Sequence, residues 1–354
     1  MTGPRGLPYL SARGLSIGWG RGGRSHALSS GLDIELPLGE LAALVGPNGS
    51  GKSTLLRTLV GTQAPLSGRV ELGGDPVESL PVEERARRAA WVFTGRFDAG
   101  WFSVFDMVAF GRYPFTDARN RLSEKDRMSV ATAIESVGLQ DMRSRRFNEL
   151  SDGERQKTLI ARAVAQDCPL LVLDEPTAFL DAGARIEIFH LARRLAHDEG
   201  KAVVLSTHDL DLALRYADSL WLLDRASAFR SGSPERLAME GSIGAAFDGP
   251  SLKFEPLSGV FTAADRERCP SARVEGAEPE AAWTARLVER LGFDLAAPAV
   301  REAGGEAAEV VVRASVDSAR MPRWKLLSGG SETDFASIEE LASALRSYKK
   351  SRGG

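Results

Sequence analysis

At 354 residues the chain exceeds what one compact core organises, which predicts two or three structural units. Lys and Arg number 45 against 48 Asp and Glu, and the resulting net charge of -3 gives nucleic acid no electrostatic hold as the main partner. Hydrophobic content is an ordinary 43%, no run of about 18 apolar residues occurs and no signal-peptide pattern opens the chain, so neither a membrane span nor export by that route is expected.

Residues 1–9 read as a Gly/Pro-rich lead-in, and residues 10–17 alternate in strand fashion until a glycine-rich run at 18–23 interrupts them. Trp19 is either filler on an edge strand or a platform on which an adenine ring stacks. Residues 31–36 alternate again, a turn follows at 37–40, and the apolar run 41–45 reads as a buried strand.

Next come Gly46, Pro47, Asn48, Gly49, Ser50, Gly51, Lys52, Ser53 and Thr54, which fit the phosphate-binding P-loop pattern. A strand before it and a helix over 54–60 supply the context that the chemistry needs. The glycines let backbone N–H groups point inward, and the helix N-terminus favours negative charge. Lys52 is placed to reach the β- and γ-phosphates, and the Ser53 hydroxyl to ligate Mg2+.

A strand between turns over 67–74, a charged helix over 83–90 and an apolar strand over 90–93 follow, then a loop over 94–100. Ser123 with Asp126 three residues on reads as a capped helix start, running to about Val137 and stopping at Gly138. Residues 95–150 are therefore expected to be a mostly helical insertion. Ser151, Asp152 and Gly153 precede a good helix over 158–165, which is either an ordinary N-cap or a second anion site.

Residues 170–173 are apolar and deliver Asp174 and Glu175 at the end of a buried parallel strand, where ligands of open α/β sheets bind. Asp174 is placed to hold Mg2+ through water, and Glu175 to orient or deprotonate an attacking water. Residues 202–205 repeat the design and deliver His208, read as a partner of the γ-phosphate or the water. His26, His190 and His197 read as structural, and Cys168 and Cys269 as free thiols of a reducing compartment.

In this order the motifs resemble those of the ATP-binding subunits of ABC transporters, over residues 8–248. The P-loop resembles Walker A, residues 150–154 stand where the family has its LSGGQ signature, and residues 170–175 resemble Walker B with the catalytic glutamate. Asp181 falls in the D-loop, His208 at the switch histidine and Trp19 at the aromatic A-loop, which favours adenine stacking. The resemblance implies an α/β P-loop NTPase core with an antiparallel β subdomain and a helical subdomain. It divides the chain into 1–94, 95–158 for the helical and signature part, 159–254, and an accessory C-terminal α+β domain over 255–354.

It further implies ATP and Mg2+ as cofactors, with each ATP between Walker A of one chain and Ser151, Gly153 and Glu154 of a second copy. A membrane permease would dock on the helical part, and a periplasmic or surface substrate-binding protein would act with it. The chain would then lie in the cytoplasm, peripheral on the inner face of the cell membrane, and bind no nucleic acid. Gly111, Arg112 and Pro114 resemble the GRxP segment of importer subunits for iron–siderophore complexes, haem and cobalamin. The alternative is a soluble ABC-type ATPase that acts as a switch without a permease.

Two departures stand out. Thr94 replaces the usual Gln, whose side chain reaches Mg2+ and the attacking water, so a bridging water is expected to span the shorter reach. Asp152 replaces a signature glycine and is expected to turn away from phosphate and cap backbone N–H groups.

In the tail, Trp283, Leu287 and Leu291 mark a helical face, residues 309–313 read as a strand, and Ser-Gly-Gly-Ser at 328–331 reads as a hairpin turn. Ser337 and Glu340 form a capping box before a final helix. The tail carries no catalytic constellation and reads as an accessory or dimer-stabilising domain, or as a regulatory domain that senses a ligand or the partner subunit.

Overall fold

The computed structural model describes residues 8–21, 24–93, 100–116, 119, 121–224, 228–249, 253–256, 259–262, 269–295, 308–318 and 321–352. The chain divides into two compact units, Met1–Thr262 and Ala263–Gly354.

The first unit opens with β1 (Leu10–Arg21) and β2 (Arg24–Leu36), then β3 (Leu41–Val45) and α1 (Lys52–Leu59). β4 (Ser67–Leu72) and β5 (Asp75–Pro76) complete an antiparallel sheet of order β2-β1-β4-β5. Leu10, Ala12, Leu15 and Ile17 of β1 are buried with Leu55, Leu56 and Leu59 of α1. β1 shifts register between Ala12 and Leu15, and this keeps its apolar residues on the side that packs against the helix that follows the P-loop.

α2 (Val82–Arg88) leads into β6 (Ala89–Val92); α3 (Val104–Ala109), α4 (Glu124–Ser136) and α5 (Asp152–Ala165) come next. β7 (Leu170–Leu173), α6 (Ala182–His197), β8 (Ala202–Thr207), α7 (Leu210–Tyr216), β9 (Ser219–Leu223) and β10 (Phe229–Gly232) finish the central sheet. Its order is β10-β9-β3-β8-β7-β6, parallel throughout except for β10. Every residue of β3, β7 and β8 is buried, the signature of parallel strands covered on both faces. α8 (Pro234–Met239), α9 (Ser242–Phe247) and the ribbon of β11 (Lys253–Glu255) with β12 (Val260–Thr262) close the unit.

α4 starts as expected: Ser123 Oγ accepts from the Asp126 N–H, and the Asp126 carboxylate accepts from the Ser123 N–H at 3.0 Å. The Gly-Arg-x-Pro segment is a packing device. A Cβ at Gly111 would overlap the Arg162 carbonyl oxygen, so the chain passes α5 at backbone contact. Arg112 is buried; its Nε donates to Asp126 Oδ1 at 2.9 Å and its Nη1 to the Ala165 carbonyl at 2.9 Å. Its guanidinium also lies 4.1 Å from the Phe115 ring centroid. One side chain therefore ties α3, α4 and α5 together.

The second unit runs β13 (Ser271–Gly276), α10 (Glu280–Arg290), β14 (Asp294–Leu295), β15 (Val310–Val316), β16 (Pro322–Ser328), β17 (Ser331–Phe335) and α11 (Ile338–Arg352). Its sheet order is β14-β13-β15-β16-β17, with the first three strands parallel and the rest antiparallel. Gly329 and Gly330 take φ of 55° and 82° in the β16–β17 turn, as a type I′ hairpin requires. One expectation needs correcting. The buried face of α10 is Thr284, Leu287 and Val288, and Trp283 is 60% exposed. The Trp324 indole N–H donates to Thr284 Oγ1 at 2.8 Å, and this bond turns Thr284 inward and its neighbour Trp283 out.

Candidate active site

β3 ends at Val45, and the chain turns through the P-loop into α1. A Cβ at Gly46 would overlap the Leu223 carbonyl oxygen, so only glycine lets the loop leave between the strands. Gly51 is the N-cap at φ 100° and supplies no side-chain cap, which leaves the first N–H groups of α1 facing the loop. Ser50 Oγ is buried and without a hydrogen-bond partner. Lys52 is buried, and its Nζ donates back to the carbonyls of Gly46 at 2.9 Å and Pro47 at 3.2 Å. Burial pushes the Lys52 ammonium below its ordinary range, while Glu175 and Asp174 pull it up. An orphaned hydroxyl, uncapped N–H groups and a buried cation fit a polyphosphate.

The acids arrive from β7. Asp174 is 4% exposed, and its N–H donates to the Val92 carbonyl at 2.9 Å. Ser206, wholly buried at the end of β8, donates through Oγ to Asp174 Oδ1 at 2.7 Å. The same hydroxyl accepts from the Glu175 N–H at 2.8 Å. Glu175 takes φ 47°, a left-handed conformation that a glutamate adopts only when its surroundings hold it there. Its Oε1 lies 2.7 Å from His208 Nε2. A cleft of about 480 Å³ opens beside this pair, with Phe179, Arg185 and Phe261 on its walls. Ser53 and Asp174 offer the hard oxygen donors that suit Mg2+. Among the described residues no group of three or more His, Cys, Asp or Glu side chains gathers as a metal cage.

Other expected residues make their own contacts. Trp19 is 55% exposed on β1, its ring 6.1 Å from that of His26 and within 4° of parallel. The two are cross-strand partners, and a Cβ at Gly51 would meet Leu28 at 3.2 Å and Ile17 at 3.5 Å, which places this hairpin beside the P-loop. Ser151 is the N-cap of α5: its Oγ accepts from the Glu154 N–H at 3.3 Å and donates to Glu154 Oε2 at 2.9 Å. The Ser151 N–H and hydroxyl hold the Glu154 carboxyl below its ordinary range. Asp152 does not cap the backbone as expected; Ser151 already fills that role, and Asp152 Oδ1 faces Arg155 Nη1 at 3.4 Å. Gly153 lies in the first turn behind it. Asp181 is the N-cap of α6, accepting from the Ala184 N–H at 2.8 Å. Thr94 lies outside the described residues.

Ser206 escaped the sequence reading; its signal was a hydroxyl near the end of an otherwise apolar strand beside the acid-bearing one. His26, read as structural, meets the Trp19 ring across the strand pair.

A P-loop beside two strand-end acids and a histidine, on a parallel sheet carrying separate antiparallel and helical parts, defines an ATPase of the ABC cassette class. The chain belongs to the family of ATP-binding proteins of ABC transporters. Residues 29–178 match the ABC transporter family, and residues 269–346 match the iron ABC transporter C-terminal domain. An uncharacterised ABC transporter ATP-binding protein of Methanocaldococcus jannaschii is 37% identical over 71% of this chain and 86% of its own length. The achromobactin transport ATP-binding protein of Dickeya dadantii is 34% identical over 68% of this chain and 88% of its own. Among solved structures, a metal-chelate type ABC transporter in an inward-facing conformation superposes with a TM-score of 0.60 at 27% identity, covering 72% of this chain and 95% of that one. Among the described residues no helix is long and apolar enough to cross a membrane.

Proposed function

We propose that this chain hydrolyses ATP to drive import of an iron chelate, a siderophore complex or a haem- or cobalamin-like molecule. The observation that carries the iron reading is the match of residues 269–346 to a domain of iron transporters, joined to a core like that of an achromobactin transport protein. The reading of a soluble switch without a permease is not favoured, since these relatives are transport proteins.

The P-loop N–H groups from Gly46 to Thr54, Pro47 excepted, and the Lys52 ammonium bind the phosphates, Lys52 exchanging its two loop carbonyls for phosphate oxygens. Trp19 stacks on adenine. Ser53 and Asp174, with Thr94 through a water, would hold Mg2+, which neutralises phosphate charge when bound. Glu175 orients and deprotonates the attacking water, and His208 fixes the Glu175 carboxylate and reaches the γ-phosphate. Ser151, Gly153 and Glu154 face the phosphate of a second copy, with Asp181 beside that junction. For this Ser151 must release part of its capping box, so the signature changes partner when two chains close on ATP. A permease docks on residues 95–158 at the inner face of the cell membrane, residues 255–354 are accessory, and a periplasmic or surface binding protein delivers the chelate.

The test is uptake of labelled ferric chelate into cells that carry the chain or its Glu175→Gln form, with pull-down of the membrane partner. Uptake lost in the variant while a multi-span protein still co-purifies supports the importer; undiminished uptake and no such partner reject it.

A further inference from the structure

The second unit carries a cleft of about 460 Å³ between α10 and α11, within the size range of small-molecule sites. Its floor is Leu287 and Ala342, with Ile338 at one end, and it shares the apolar core on which both helices pack. Trp283 stands over it, turned out by the inward bond of Thr284 to Trp324. The Arg286 guanidinium covers one face of that indole, 4.8 Å from the ring centroid. Arg286, Arg290 and Arg346 line the cleft against a single carboxylate, Glu339, and among the described residues none of these four makes an ion pair.

We propose that this cleft binds a small aromatic carboxylate, its ring on Trp283 and its carboxylate on Arg290 and Arg346. The chemistry selects the class. Indole and guanidinium planes favour a flat ring, and arginine takes a carboxylate in a bidentate fork. The three-to-one excess of cation over anion disfavours the alternative of a second copy of the same face, which would oppose like charges. The volume is too small for a folded partner and suits a single-ring molecule. The assignment goes beyond the transport reading and stands without it.

The experiment is titration calorimetry of the full-length chain with three probes: salicylate, the neutral ring benzamide, and inorganic phosphate. Salicylate should bind one per chain, with benzamide and phosphate each about tenfold weaker or more. The exposed double change R290A/R346A should weaken salicylate by about tenfold or more and leave benzamide unaltered, and Trp283→Leu should weaken both rings. R290Q/R346Q, which keeps polar side chains of similar length, repeats the test should the alanine form lose its fold. No heat with salicylate, phosphate binding as well as salicylate, or variants that bind salicylate like wild type would each overturn the assignment. So would a change of sedimentation mass in R290A/R346A, which would make the face a contact between copies.

Discussion

Ser206 and Asp174 are joined by a 2.7 Å hydrogen bond between the ends of neighbouring parallel strands, and the same hydroxyl holds the Glu175 N–H. One side chain thereby sets the directions of both acids, and none of its atoms needs to touch nucleotide. Ser206→Ala removes two hydrogen bonds in a wholly buried place, which costs about 1–3 kcal/mol. We expect a fall of about tenfold in ATPase rate and a raised Mg2+ requirement, with Ser206→Thr restoring most of both. A rate-against-Mg2+ titration checks it; loss of stability alone, at unchanged Mg2+ requirement, would reduce Ser206 to a packing residue.

Glu175 and His208 form the next pair. Glu175→Gln keeps the shape and removes the base, so hydrolysis should fall by about a hundredfold or more, while ATP binding persists. Size-exclusion chromatography with ATP should then show a lasting dimer. His208→Ala should lower kcat with less effect on the ATP affinity, because it acts through the Glu175 carboxylate.

Trp19 presents an exposed indole backed by the His26 ring. Trp19→Ala should raise the KM for ATP by about tenfold, in line with base stacking of about 1–3 kcal/mol, with kcat unchanged. Trp19→Tyr should restore most of the affinity. Equal KM values in all three proteins would remove the indole from the site.

Arg112 and Asp126 form a buried ion pair, 5% and 6% exposed, and Asp126 also caps α4. Arg112→Ala leaves the buried Asp126 carboxylate without its counter-ion and should cost about 3–5 kcal/mol in denaturant unfolding. The Ser123 hydroxyl, foremost, and then Arg112 hold the Asp126 carboxyl below its ordinary value of 3.8 against the opposing effect of burial. Because the folded value is depressed, this stabilisation is fully present above 3.8 and is lost as pH falls below it toward the folded value. Acid unfolding should therefore be steeper in wild type than in Arg112→Ala, which has less of it to lose.

Much of the site was legible because its chemistry is local. The P-loop, the acids after residues 170–173 and the caps at Ser123 and Ser337 each need only a few neighbouring residues, and short-range backbone preference places them. Gly329 and Gly330 likewise specified their turn, since only a φ above zero closes it. What the chain alone did not disclose are contacts made across distance. The bond from Ser206 to Asp174 exists because β7 and β8 pair with Leu173 opposite Leu205, which brings the next residues side by side. A strand's alternation tells which face a residue takes, not which strand lies beside it. The outward turn of Trp283 has the same origin. Helical spacing put it with Leu287, but α10 buries Thr284, Leu287 and Val288, and Thr284 bonds the indole of Trp324, 40 residues beyond it. Local preference determined the elements and their chemical tips; strand order and packing decided which tips meet, because those depend on the burial of the whole core at once.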